Sequence, residues 1–208
     1  MSKIEIIKKN IFLCSLEKNN VLEAFKEWRY DGVINDLGIR VKTCELCEQP
    51  ELRYQFQITN VHSESELWVG SECIKKFNTI SVTNKDGVNL SYDLAVKKID
   101  KDRRKMIVDS KTKSMLNSLV QLSWKDEEFD IEDFIKYFKE RGAFTPNQLS
   151  TVIWRLEKHQ TDFEKGNFKC TIKRIREREQ LLNMEDWKIK KIWECLSPSQ
   201  KTLLRNKN

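Results

Sequence analysis

An α+β fold, predominantly helical, is what this chain of 208 residues predicts, and three observations predict it. Charged residues make up 34% and apolar ones 39%, against only 6 Gly and 3 Pro, which is the balance of a helix-rich chain with wide solvated faces and argues against disorder. Between Arg53 and Ile58 the pattern alternates strictly, with Tyr54, Phe56 and Ile58 facing one way and Arg53, Gln55 and Gln57 the other, the period of a half-buried strand. From Ser91 to Leu122 there is neither Gly nor Pro, and Leu94, Val96, Ile99, Met106, Ile107, Met115, Leu116 and Leu119 fall near one side of a long helix.

In chain order, residues 1–36 read as a helical segment. Val21, Leu22, Phe25, Trp28 and Tyr30 form its apolar stripe after the capping candidates Asn19 and Asn20, and Asp31-Gly32 closes it. Ile39 and Val41 alternate with Arg40 and Lys42 and feed a short strand into a turn at Cys44. The strand around Phe56 follows, then a polar loop over 60–66, a returning strand at Leu67-Trp68-Val69, and a short helix opened by Gly70-Ser71 that carries Cys73, Ile74 and Phe77. Residues 78–90, with Asn84-Lys-Asp-Gly87, are expected to be a linker. Beyond the long helix the chain predicts short helices around Phe134 and Phe138, from Thr145-Pro146 to Leu156, over 171–183 and 186–196, and after Ser197-Pro198; proline suits a first helical turn because no donor is lost there. The expected domains are therefore 1–36, a module at 37–85, and a helical domain at 86–208.

The chemistry concentrates in that module. Cys44-Glu-Leu-Cys47 places two thiols at a spacing that grips one ion from a tight turn, and Cys73 at a helix start can reach the same ion. A redox C-x-x-C opens a helix, whereas Cys47 leads into Glu48-Gln49-Pro50 and a strand, so metal is favoured over thiol exchange. The expected cofactor is Zn2+, and knuckle, hairpin and helix in this order outline a treble clef. Such a module normally carries a further cysteine three residues before Cys73, where Gly70 stands. His62 in the hairpin loop is the expected fourth ligand, with Cys14, Cys170 and Cys195 as alternatives. A site completed by water would suit catalysis, but no convincing general base stands nearby beyond Glu72, which reads as a solvated helix carboxylate.

The segment 44–77, through Cys44-Glu-Leu-Cys47, Arg53-Tyr-Gln-Phe, Ile58-Thr-Asn and Leu67-Trp-Val-Gly-Ser-Glu-Cys-Ile-Lys-Lys-Phe77, resembles treble-clef-like zinc-binding segments of poorly characterised phage and mobile-element proteins of bacteria. The resemblance implies a metal-binding fold in a bacterial or phage setting and carries no reaction.

With 38 Lys and Arg against 32 Asp and Glu the net charge is +6, which favours polyanionic partners. Lys97, Lys98, Lys101, Arg103, Arg104 and Lys105, and then Lys173, Arg174, Arg176 and Arg178, are the candidate phosphate contacts, diluted by the acids among them such as Glu177 and Glu179. Of the tryptophans, Trp28, Trp124, Trp154, Trp187 and Trp193 are expected to fill cores, while Trp68 beside the knuckle is the candidate partner anchor. His159 and the acids Asp126, Glu127, Glu128 and Asp130 read as solvated. No phosphate-cradling glycine loop or G-x-S-x-G elbow occurs, no apolar run is long enough for a signal peptide or a membrane span, and the expected location is the bacterial host cytoplasm. The expected function is a non-enzymatic zinc-binding accessory protein that holds DNA or RNA through basic helices. The alternative is a phage-type interaction module that binds and inhibits a host defence or replication complex; a metal or carboxylate nuclease ranks third.

Overall fold

A computed structural model describes residues 2–206 of the chain, which divide between Val108 and Asp109 into two compact units. The predominantly helical α+β class is observed.

The first unit opens with α1 (Lys3–Cys14), capped reciprocally by Ser2 and Glu5, and α2 (Val21–Lys26), whose first amides donate to the Asn20 side chain. The expected helix over 1–36 stops there. Trp28–Tyr30 is a strand, β1, and Ile34–Asp36 is another, β2. The physical reason is spacing: Trp28 and Tyr30 stand two apart, so in extended backbone both rings enter the core with Arg29 outside, whereas helical backbone would splay them. Gly32, at φ +113°, makes the bend between the strands, and a side chain there would press on Lys98 Nζ.

β3 (Tyr54–Asn60) organises the sheet. On one edge it pairs antiparallel with β2 through Phe56 and Ile34 and with β1 through Asn60 and Trp28; on the other it pairs with β4 (Glu66–Val69), Phe56 opposite Val69. After α3 (Ser71–Lys76), the expected linker contributes β5 (Ser81–Val82), which lies parallel to β1. The alternation at 39–42 yields a single bridge, Lys42 with Leu52. Ala95 and Ile99, from the first turns of α4 (Tyr92–Lys125), close a core shared with Ile11, Phe25, Trp28, Phe56 and the three cysteines. Hence neither the boundary expected at 36 nor the one at 85 separates packed bodies: apolar faces on both sides of each are buried against one another, and the division falls inside α4.

The second unit is helical. Met115, Leu119 and Leu122 of α4 pack with Leu149, Val152, Ile153 and Leu156 of α6 (Pro146–Lys158), which carries the expected Thr145 cap and Pro at its start. Around them lie α5 (Ile131–Arg141), α7 (Ile175–Leu182), α8 (Asp186–Ile192) and α9 (Pro198–Arg205), the last capped by Ser197 as expected. Several surface expectations are corrected. Trp124, Trp154 and Trp187 are 77%, 41% and 49% exposed and fill no core. Asp126 is buried and binds Arg155 at 2.5 Å, and His159 faces the same carboxylate at 3.2 Å.

Glu177 does not dilute the basic stretch around it, because it is buried as a four-way acceptor. It receives Tyr137 Oη at 3.3 Å, Arg141 at 3.1 Å, Thr171 Oγ1 at 3.2 Å and the Arg174 amide at 3.1 Å. Burial opposes its charge, but these donors hold the carboxyl below its ordinary value of 4.5. The unfolded chain therefore takes up this proton more readily than the folded one. The stabilisation is complete above pH 4.5 and disappears as pH falls through the lower folded value. Glu177→Gln is expected to cost about 1.5–3 kcal/mol at pH 7 and to shrink that loss on acidification, measured by urea unfolding at both ends of the range. An unchanged acid dependence would show that Glu177 carries none of it.

Candidate metal centre

The knuckle is built by backbone before any side chain acts. The Cys44 amide donates to the Gln49 carbonyl at 2.9 Å and the Glu48 amide returns to the Cys44 carbonyl at 2.8 Å, closing a turn in which Glu48 takes φ +56°. Glu45 then fastens this turn to β4: its amide donates to the Trp68 carbonyl at 3.1 Å, and the Trp68 amide donates to its carboxylate at 2.6 Å. Because β4 runs into Gly70 and α3, the same zipper fixes Cys73 against the knuckle.

The three thiols meet. Cys73 Sγ lies 3.3 Å from Cys47 Sγ and 3.6 Å from Cys44 Sγ, all three are buried, and all three sulfurs lie within 4.8 Å of one another. Thiolates around one tetrahedral zinc, each about 2.3 Å from the ion, stand about 3.8 Å apart, so Cys73 Sγ need only draw a few tenths of an ångström away from Cys44 Sγ and Cys47 Sγ for the triad to become a ligand set. The donor environment fits too. Cys44 Sγ shares a hydrogen bond with the Cys73 thiol and accepts from the amides of Gly70, at 3.4 Å, Cys47 and Leu46; against the opposing effect of burial these draw its pKa down to about 5. The shared bond with Cys44 pushes Cys73 in the opposite direction, and burial adds to that. One thiolate is thus prepared by the fold, and a cation is what would allow the other two. A bound zinc would supply cross-linking between knuckle and helix, with Cys44, Cys47 and Cys73 holding it.

The fourth ligand expected from sequence is not brought to this place. Counting six steps of about 3.4 Å along β3 sets the hairpin turn some 20 Å from the end that meets Gly70 and Cys73. His62 sits exposed in that turn, its amide donating to Asn60 Oδ1 at 2.9 Å, and the turn is tied to Glu27, which accepts from the Asn60 side chain at 2.7 Å. Cys14 is half-buried, with its carbonyl accepting from Asn60. Cys170 and Cys195, in the second unit, are thiols that burial pushes up to about 12, the state of packed and unreactive cysteine. Among the described residues, the groupable metal ligands are Cys44, Cys47 and Cys73.

Sequence reasoning missed what surrounds them. A cavity of about 720 Å³ has all three cysteines in its wall, with Phe56 and Phe77 on its apolar side. Tyr54 also lines it, with the Arg53 and Arg103 guanidinium groups 5.1 and 5.4 Å from its ring centre. Arg53 is held by two bonds to Asp36. Trp68, the expected partner anchor, is half-buried, and its backbone serves the Glu45 zipper.

The basic stretches are exposed. Lys97, Lys101, Arg103, Arg104 and Lys105 lie on the surface, as do Lys173, Arg174, Arg176 and Arg178, while Lys98 is engaged with Asp102 and lies 5.1 Å from the Tyr30 ring centre. Among the described residues no helix is long and apolar enough to cross a membrane. Neither family models, nor curated proteins, nor solved structures give a match to this chain.

Proposed function

We propose that this protein is a zinc-stabilised, non-enzymatic nucleic-acid-binding protein, in which the metal centre braces the unit that presents α4 to phosphate. The observation that carries the reading is the disposition of charge on that helix. Lys97, Lys101, Arg104 and Lys105 recur at helical spacing on one exposed face, and about 12 Å of helix separates the first from the last. The acids interspersed with them are spent elsewhere. Asp100 binds Lys75 at 2.7 Å, and Asp102 binds Lys98 and accepts from Tyr30 Oη at 3.2 Å. Among the described residues none of those four cations has a salt-bridge partner, so between Asp93 and Asp109, the exposed acids one turn beyond either end of the series, this face stays positive. On the second unit, Arg174, Arg176 and Arg178 are likewise exposed while Glu177 is buried.

Contacts of this kind are to backbone phosphate and give little sequence readout. Fluorescence anisotropy with labelled duplex DNA, single-stranded DNA and RNA between 50 and 200 mM salt tests the reading. With three to four contacts from α4, log K against log salt is expected to slope by about −3 on duplex. Lys97→Gln/Lys101→Gln/Arg104→Gln should flatten that slope by about 2.7. Absent binding, or binding indifferent to salt and to the triple substitution, would overturn it.

A further inference from the structure

We propose that the metal centre is open on one side and takes its fourth ligand from outside the chain, a small anionic thiol seated in the cavity that the three cysteines wall. This rests on the metal half of the proposed function and is independent of nucleic-acid binding. Structural zinc sites are closed by four protein donors, whereas sites that keep three protein donors leave one position for an exogenous ligand. Here three donors are assembled, and among the described residues no further Cys, His, Asp or Glu atom joins them. The approach to the missing position runs past Cys47 and Cys73, which keep 7% and 8% of their surface accessible while Cys44 is fully covered, and all three line a space of about 720 Å³, within the size range of small-molecule sites.

The lining defines the ligand's chemistry. An all-sulfur donor set is soft, and a fourth soft donor matches the metal it selects. Around the cavity stand Arg40, Lys76 and Arg103, all exposed cations, while of the acids there Glu72 is bonded to Lys75 at 3.4 Å and Glu51 remains. Lys76 lies one helical turn beyond Cys73 in α3, so a cation and a metal ligand are presented from the same helix. A ligand with a thiolate for the metal and a carboxylate for these cations satisfies both, and Leu52 and Phe77 line the cavity with the apolar surface its carbon chain would need.

Cobalt(II) in place of zinc makes the coordination visible, since its ligand-field bands shift when a ligand is added. The full chain is loaded with cobalt and titrated with 3-mercaptopropionate and, separately, with 2-mercaptoethanol, cobalt retention being measured after gel filtration. The expected result is a saturable band shift with cobalt retained, and tighter binding of 3-mercaptopropionate. Arg40→Gln/Lys76→Gln should weaken that thiol roughly tenfold and leave 2-mercaptoethanol unchanged. Bands that stay fixed at saturating thiol while cobalt remains bound would overturn the open position. Equal affinity for the two thiols, unaltered by the double substitution, would overturn the anionic assignment. If sulfur-to-cobalt absorption never appears, the metal reading itself fails, which is a different outcome from a closed site.

Discussion

Exhaustive chelation is expected to lower the unfolding midpoint of the first unit by about 15–30 °C. A metal present at a thousandfold excess over its dissociation constant stabilises the state that binds it by about 4 kcal/mol, and a unit of this size shifts by about 4–8 °C per kcal/mol. The effect should be confined to one unit, because the three cysteines belong to the core of the first and the second is built on Met115, Leu119, Phe144 and Leu156. Hydrogen exchange reads this directly: amides of β3 should lose protection on chelation while those of α6 keep theirs. Cys73→Ala should reproduce the loss, since its sulfur touches both of the others, whereas Cys195→Ala, whose thiol donates to the Lys165 carbonyl at 3.2 Å, should retain a full metal content. Protection in β3 indifferent to chelator would reduce the cluster to three packed thiols. The unit has a real core besides the ion, so partial structure after chelation is compatible with the reading; unchanged stability is not.

What the sequence made legible were features whose signal is local. The C-x-x-C spacing and the caps at Thr145 and Ser197 each depend on residues within a few positions and each appears as expected, and the alternation at 53–58 yields the strand with Phe56 and Ile58 in the core, although Gln55, expected outside, is buried. The three cysteines could be associated because a hairpin brings 44 and 73 together by short-range pairing. What stayed hidden depends on distant partners. Trp28 and Tyr30 fit a helical stripe on paper, and only the edge of β3, some thirty residues later, makes extended backbone the better home for them. His62 illustrates the same limit: imidazole chemistry suits zinc, but chain direction along β3 carries the turn away from the metal end, to Glu27. The pairing of Asp100 with Lys75 and Asp102 with Lys98, which decides how much positive field α4 presents, was likewise invisible to a count of charges. Nor does composition reveal that Trp124, Trp154 and Trp187 lie outside, since tryptophan is apolar enough for a core and polar enough for a surface.

Trp28→Ala is expected to cost about 3–5 kcal/mol, while Trp124→Ala stays within about 0.5 kcal/mol. The indole of Trp28 is fully buried, Nε1 donates to Ser15 Oγ at 2.8 Å, and its backbone pairs with Asn60 while its carbonyl accepts from Ser81 Oγ at 3.2 Å. Truncation opens a cavity where α1, β1, β3 and β5 converge and leaves the Ser15 hydroxyl without its donor. Trp28→Phe separates these costs, because it restores most of the volume but not the hydrogen bond. Urea unfolding followed by hydrogen exchange of the β3 amides measures all three variants, and equal losses at positions 28 and 124 would refute the placement of β1 in the core. Trp28 and the cysteine triad belong to one packed cluster, so the Trp28→Ala and chelation effects should be non-additive. With total stabilities of such units usually 5–15 kcal/mol, Trp28→Ala in chelator should leave the first unit unfolded and the metal-loaded variant folded.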